Sequence, residues 1–340
     1  MNREFHYFCI YYLANEAGFS PEDSAILAVS SQLVDESTLP WKIEGRKAAT
    51  GTAAHPMFTE TTQEYSFWDP DVCRSIYRPF HFLPGERHVA SARRKDGASG
   101  PRAVTADSPL SREVLIAAFK TDSLYRMGIA LHSYADTWAH QDFSADDEIQ
   151  NSLGVQALPS VGHLQALKAP DDPLGRWSDP RLLDEYSEVD NAQRFLRAAR
   201  MIFRFLRTYL RRSFADEDLV LGPLEELWKG QRHGRAKAEA RDSDYIVDLG
   251  IPPYEAGLWV REASGAPYTG VLAELARASS GYDSFRWLTS AAAKRSEEGL
   301  KCAGTIDAEA YSASRLRLWN EAAAAHRAFC FSLFSRRGFG

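Results

Sequence analysis

Residues 129–141 read Ile129-Ala130-Leu131-His132-Ser133-Tyr134-Ala135-Asp136-Thr137-Trp138-Ala139-His140-Gln141. No glycine or proline interrupts the run, and its apolar residues recur at helical spacing, so it reads as part of a buried helix. His132, Asp136 and His140 stand at i, i+4 and i+8, offset by only ~40° per step, and so share one face. They also climb the axis, ~6 Å per step and ~12 Å from first to last. Two histidines so far apart in height are poorly placed to hold one ion, whereas an aspartate between them offers two oxygens. The spacing therefore points to more than one metal, with Asp136 beside or between ions. The competing reading is a hydrogen-bonded structural network. It must account for three ionisable groups on a helix otherwise lined by Leu115, Ile116, Ile129 and Ala130, because buried ionisable groups need partners.

Upstream, Ser108 and Pro109 read as an N-cap and first turn, which predicts one long helix from there to about Gln141. Residues 3–17 form another candidate helix, stopped by Gly18. Pro21, Glu22 and Asp23 open a second, with Ala25, Ile26, Val29 and Leu33 on one face. Helical patterning lapses over residues 37–107, which hold short strand-like or helical pieces such as Glu64–Trp68 among Gly, Pro, Thr and Ser. A segment that long inside a compact chain usually builds functional walls. A second irregular stretch, 142–180, contains Gly154, Pro159, Gly162, Pro170, Pro173 and Pro180. An amphipathic helix is expected over 182–213, and several more over 214–340, the last at 307–336. No internal repeat or linker divides the chain. The expected fold is all-α with long irregular loops: one domain, its core at 1–215, and a C-terminal helical extension at 216–340 packed on that core.

The 340 residues, 44% hydrophobic and 25% charged, can bury a sizeable core. A net charge of -6 is not that of a general nucleic-acid coat, which leaves only a local basic patch for such contacts. Cys9, Cys73, Cys302 and Cys330 form no CxxC pair, so neither a thiolate zinc site nor a dense disulfide framework is indicated. No apolar run reaches the ~18 residues of a membrane span. Phe5–Ala14, FHYFCIYYLA, carries His6 and three tyrosines and is followed by Asn15-Glu16, where a signal peptide would have small residues. The expectation is an uncleaved, cytoplasmic protein.

The other candidate ligands are dispersed. His6 lies in Phe5-His6-Tyr7. Asp35 ends Ser30-Ser31-Gln32-Leu33-Val34-Asp35. His81 lies in Pro79-Phe80-His81-Phe82-Leu83-Pro84, whose aromatic and apolar residues would bury it. His163 follows Gly162 in a loop, and Asp171-Asp172 precede Pro173. Singly each reads as structural or exposed. Together they form a His/Asp set without cysteine, suited to zinc, iron or manganese. His55, His88, His233 and His326 read as non-ligands, from polar, charged or alanine-rich surroundings.

The order of these residues resembles the zinc-dependent phospholipase C and P1/S1 nuclease superfamily. It runs N-terminal His, helix-ending Asp, aromatic-flanked His, His-x-x-x-Asp with a further His, then a loop His with a following acid. The phrases Phe-His-Tyr, Ser-Gln-Leu-Val-Asp, Phe-His-Phe-Leu-Pro-Gly and His-Ser-Tyr-Ala-Asp-Thr-Trp-Ala-His-Gln-Asp-Phe also resemble an uncharacterised bacterial family near it. The resemblance covers roughly residues 1–180 and implies an all-α enzyme that hydrolyses phosphate esters with three zinc ions. Carried over residue by residue, it implies that Asp35, His81, His132 and Asp136 hold a first ion. His140, His163 and either Asp171 or Asp172 would hold a second, and His6 and Asp136 would touch a third. The chain also departs from the pattern. His140 follows Asp136 by four residues rather than six, and Asp171 follows His163 by eight rather than four. The third ion of those enzymes uses the amino group of a processed N-terminal Trp, whereas this chain starts at Met1, so the surer count is two.

Such ions would acidify a bridging water and neutralise phosphate oxygens, with Asp35 orienting the nucleophilic water. Asp142 and Tyr134 are candidates for accepting the outer N–H of a ligand histidine. The expected substrate is a phospholipid, nucleotide or small phosphoester. The Arg194–Arg211 helix carries Arg197, Arg200, Arg204, Arg207 and Arg211 on one face. It offers either peripheral membrane contact or, more simply, a solvated and acid-paired surface. Arg93-Arg94-Lys95 reads as a solvated loop. A helical di-iron oxygenase is a weaker alternative, because the Glu-x-x-His pairs of ferritin-like enzymes are absent. A non-catalytic metal-binding or structural helical protein is another. The lack of an adjacent His-Asp dyad disfavours an HD-type phosphohydrolase.

Overall fold

A computed structural model of the chain describes residues 1–44, 57–64, 69–229, 238–265 and 303–339. His55, His233, Cys302, residues 65–68 of the Glu64–Trp68 piece and residues 266–302 of the C-terminal extension lie outside the described residues. Helix dominates and the strands are few and short, so the fold is predominantly all-α. The chain enters as a π-helical turn, Glu4–Cys9, that runs into α1, Ile10–Ala17. Nearly every residue of this stretch is buried, so FHYFCIYYLA is core helix. Gly18, at φ 107, closes α1 in a left-handed cap. Ser20 caps α2, Pro21–Glu36, by accepting the Asp23 N–H. Strand β1, Trp41–Glu44, pairs antiparallel with β2, Met57–Phe58.

Downstream come α3, Arg87–Ala92, then α4, Pro109–Phe119, and α5, Leu124–Ala139. The single helix expected from Ser108 to Gln141 is therefore two. Thr121 Oγ1 donates to Ala118 O, Asp122 adopts φ 53, and the Ser123 side chain restarts the helix by accepting the Arg126 N–H. The helix expected over 182–213 also starts later. A single turn, Asp184–Ser187, precedes β4, Glu188–Asp190, which pairs antiparallel with β3, Arg176–Ser178. Asp190 then caps α6, Asn191–Tyr209. α7, Glu217–Lys229, α8, Ala238–Asp248, and α9, Leu258–Ser264, follow. Strand β5, Gly304–Asp307, lies parallel to β1. The last expected helix is a short turn, Ala308–Ser312, and then α10, Arg315–Arg337, restarted by a Ser314 cap.

The α2–α5 crossing positions the candidate site. A Cβ on Gly128 would come within 2.5 Å of Leu27 O and Ser30 Cβ, so only glycine permits this approach. Further along both helices, Asp35 then faces His132 and Asp136. The C-terminal segments share the core: Trp259, Ile306 and Trp319 pack with Leu33, Val34 and Ile129, and Trp319 Nε1 donates to Ser30 O at 3.0 Å. Among the described residues, no helix is long and apolar enough to cross a membrane.

Candidate metal centre

Each element delivers a donor. The π-helical entry, a geometry frequent at functional sites, buries His6 completely; Asn2 O accepts from the N–H groups of Phe5 and His6. Asp35 stands at the end of α2. His81 follows the short helix Arg78–Phe80 and is tied by its N–H to Tyr77 O at 2.8 Å. α5 presents His132 and Asp136, and His140 is the first residue beyond it.

His81 Nδ1, His132 Nε2 and Asp136 Oδ2 form a triangle with all three sides 3.2 Å. Asp35 Oδ1 lies 3.8 Å from His81 Nδ1 and 3.7 Å from His132 Nε2. Zinc–ligand bonds of ~2.0–2.1 Å in a tetrahedron place donors roughly 3.3–3.4 Å apart, so the His81–His132–Asp136 triangle has the spacing of metal ligands, while Asp35 stands beside it and also groups with His6 and His132. A second group joins His140 Nε2 to Asp171 Oδ1 at 3.1 Å and His163 Nε2 to Asp171 Oδ2 at 3.4 Å. Between them, the other oxygen of Asp136 faces His6 Nε2 at 3.1 Å. The Met1 amine lies 2.5 Å from that same oxygen and 3.1 Å from Asp171 Oδ1. His6 and His132 stack with ring centroids 3.8 Å apart.

The outer ring nitrogens fix the tautomers. His81 Nε2 donates to Thr62 O at 2.9 Å, His140 Nδ1 to His81 O at 2.8 Å, and His163 Nδ1 to Leu167 O at 2.9 Å. A carbonyl can only accept, so each neutral imidazole turns a lone pair inward. Those lone pairs face the carboxylates of Asp136 and Asp171, a repulsion that a proton or a metal ion would relieve. A backbone acceptor behind each inward nitrogen is the usual support of a metal-binding histidine. These buried His/Asp groups have the donor types and spacing to hold metal ions.

Electrostatics agree with a cation-seeking cluster. Burial, with help from His132 and the Met1 amine, pushes His6 down to about 4, and burial also lowers His163. Burial opposes charge on Asp136, but the Met1 amine and the surrounding histidines win and hold it well below the usual carboxylate range. Asp171 is likewise held low, by His163, the amine and His140 against burial. Burial alone would depress the Met1 ammonium, yet Asp136, Asp171 and Asp35 raise it to about 11. His81 is raised because the Asp136 carboxylate outweighs burial.

The structure brings together His6, Asp35, His81, His132, Asp136, His140, His163 and Asp171. It leaves Asp172 out: that carboxylate pairs with Arg241 at 3.0 Å, which also grips Glu4. Tyr134 and Asp142 do not support ligand histidines, as Tyr134 donates to Asp107 and Asp142 faces Arg93. Sequence reasoning missed the backbone carbonyls, the Met1 amine and the Asn191 clamp, whose Nδ2 donates to Ala169 O and Asp172 O and so fixes the loop carrying Asp171. Of the weaker histidines, His88 is exposed, and His326 is buried with Nε2 donating to Pro79 O at 2.9 Å. On α6 the apolar face is buried in the core, while Arg200, Arg204 and Arg207 pair with Asp216, Glu217 and Asp218. Arg94 and Lys95 pair with Asp96 and Asp184.

Fold and site thus define a predominantly helical protein with buried His/Asp clusters able to take metal. The chain belongs to the family DUF6765, a family of unknown function, whose model matches residues 1–334. No curated protein and no solved structure matches it.

Proposed function

We propose that the chain is a metal-dependent hydrolase of phosphate esters that works with two or three divalent ions, zinc first and iron or manganese as substitutes. The observation that carries this reading is Asp136. One of its oxygens completes the His81–His132–Asp35 group, and the other faces His6, the Met1 amine and, across that amine, Asp171. A carboxylate divided in this way joins neighbouring donor sets rather than closing a single site. The order of the donors, which resembles that of phospholipase C and P1/S1 nuclease, supports phosphate esters as the substrate class.

Ions in such neighbouring sites supply positive charge to a phosphoryl group and acidify water. His81, His132, Asp35 and Asp136 would hold the first, and His140, His163 and Asp171 the second. His6 and Asp136 would touch a third. Asp35, with its side chain 19% exposed, is the most accessible acid of the first group and is placed to orient a water and take its proton. Thr62, His81 and Leu167 hold the histidine rings through their carbonyls. The substrate would be a phospholipid, nucleotide or small phosphoester. The free, buried Cys9 and Cys330 suit a reducing compartment, and we assign the protein to the cytoplasm.

Metal analysis of protein purified without chelator, combined with hydrolysis of bis(p-nitrophenyl) phosphate, tests this. Two or more tightly bound ions per chain are expected, with hydrolysis abolished by His132→Ala. Asp171→Asn should lower metal content and Asp172→Asn should leave it intact. Less than one bound ion per chain sinks the metal reading. Full metal content without phosphoester hydrolysis sinks the hydrolase.

A further inference from the structure

A second feature lies at the end of α5, outside the donor groups. A cavity of about 500 Å³ is lined by Arg93, Arg194 and Arg197, with Trp138, Gln141 and Tyr186. That volume is within the usual range for small-molecule sites, roughly 300–1,000 Å³. Arg194 is only 9% exposed. One of its N–H groups reaches Ala139 O at 3.4 Å, and it makes no ion pair among the described residues. Arg197 is exposed and likewise unpaired among them. Arg93 donates to Gln141 Oε1 at 2.7 Å, lies 5.2 Å from the centre of the Tyr186 ring, and keeps a buried Nε without a partner.

The charges do not balance. Asp142 is the acid facing this group, with Oδ2 3.4 Å from Arg93 and neither oxygen hydrogen-bonded. The neighbouring Arg181 and Asp179 neutralise each other at 2.6 Å. Arg93 and Arg194 therefore share one carboxylate, with the unpaired Arg197 beside them on the cavity wall, and a buried cation is costly to leave uncompensated. Burial pushes Arg194 down to about 10, which still leaves it charged at neutral pH. Guanidinium groups favour phosphate through paired N–H donors, and the two aromatic rings add an apolar wall that a bare phosphate would not use.

We propose that this cavity binds a small organic phosphate, its phosphate on Arg93, Arg194 and Arg197 and its apolar part against Trp138 and Tyr186. None of these residues belongs to the donor groups, so the site stands whether or not the hydrolase reading does.

Isothermal titration of the full chain, as purified, with phenyl phosphate and in parallel with inorganic phosphate tests it. Saturable binding of phenyl phosphate is expected, tighter than that of inorganic phosphate. Arg93→Gln and Arg197→Gln should each weaken it about tenfold or more, which is ~1.4 kcal/mol; Arg197 is exposed, so its replacement leaves the fold alone. Binding should persist in His163→Ala and in His132→Ala, which separates this cavity from phosphate held at either donor group. Absence of saturable binding, indifference to both arginine changes, or loss in either histidine variant overturns the assignment. Equal affinity for the two probes overturns its organic part.

Discussion

Replacement of Gly162 by alanine tests how the second donor group is held. Gly162 has φ +52, and a Cβ there would lie 2.8 Å from Phe82 Cζ. The Phe82 ring stacks on His140 at 4.5 Å and lies 6.0 Å from His163, whose own ring is 4.7 Å from that of His140, so Phe82 packs against both candidate ligands. The left-handed backbone alone costs an alanine roughly 1–2 kcal/mol. Carbon atoms prefer ~3.5–4.0 Å, so the ring must retreat by roughly 1 Å, adding about 0.5–1.5 kcal/mol for an off-rotamer side chain. The sum is roughly 1.5–3.5 kcal/mol. With ~2.1 cal/mol/K of unfolding entropy per residue, 340 residues give roughly 0.7 kcal/mol/K, so Tm should fall by about 2–5 °C. Calorimetry reads the shift. Metal analysis should show a loss confined to the His140–His163–Asp171 group, with the His81–His132 group still loaded. An unchanged Tm with full metal content would refute the reasoning, and so would equal loss from both groups.

Two further perturbations probe the surroundings. Protein produced with a few residues ahead of Met1 turns the buried amine into a neutral amide with chain attached, where it now contacts Asp136 and Asp171. Breaking a buried pair of this kind costs about 3–5 kcal/mol, so the extended protein should melt earlier and hold less metal; equal stability and metal content would show that the amine is incidental. Glu36 predicts a pH dependence. Burial raises it to about 7 from 4.5, with Tyr254, Arg3 and Gln32 offsetting only part. The folded state therefore keeps a proton that the unfolded chain releases, and this contribution is full below about 4.5 and lost as pH rises to about 7. At ~1.4 kcal/mol per unit the span is on the order of 3 kcal/mol. Urea midpoints of Glu36→Gln should decline less than wild type across that window, and parallel curves would count against a buried, protonated Glu36.

Much of the fold was legible because helical periodicity is a local signal. The α2 cap at Ser20, the stop at Gly18 and the shared face of His132 and Asp136 all follow from residues a turn or two apart. What was not legible depends on distant partners. The break at Lys120–Ser123 sits in a sequence whose propensities could continue a helix; Asp122 in a left-handed conformation ends it. Asp171 and Asp172 are chemically identical neighbours in sequence. The choice between them is made by Arg241 on α8, which takes Asp172, and by Asn191 on α6, which fixes the loop. The Met1 amine has no side-chain signature at all. Its place depends on the π-helical entry, which Arg241 anchors through Glu4.

The four-residue step from Asp136 to His140 also has a physical account. α5 ends at Ala139, and His140 at φ -89, ψ 19 is no longer helical. Its Nδ1 donates to His81 O and stands 3.9 Å from Asp136 Oδ2, while Nε2 turns to Asp171 at 3.1 Å. A helix continued through His140 would have kept the ring above Asp136, on the face that serves the first group. Ending it there releases the ring to the loop that carries His163 and Asp171. The bond from His140 to the His81 carbonyl makes the two groups interdependent, because a ligand of the first orients a ligand of the second. Helix termination thus lets one short stretch of chain supply both donor groups, His132 and Asp136 from the helix and His140 from just past its end.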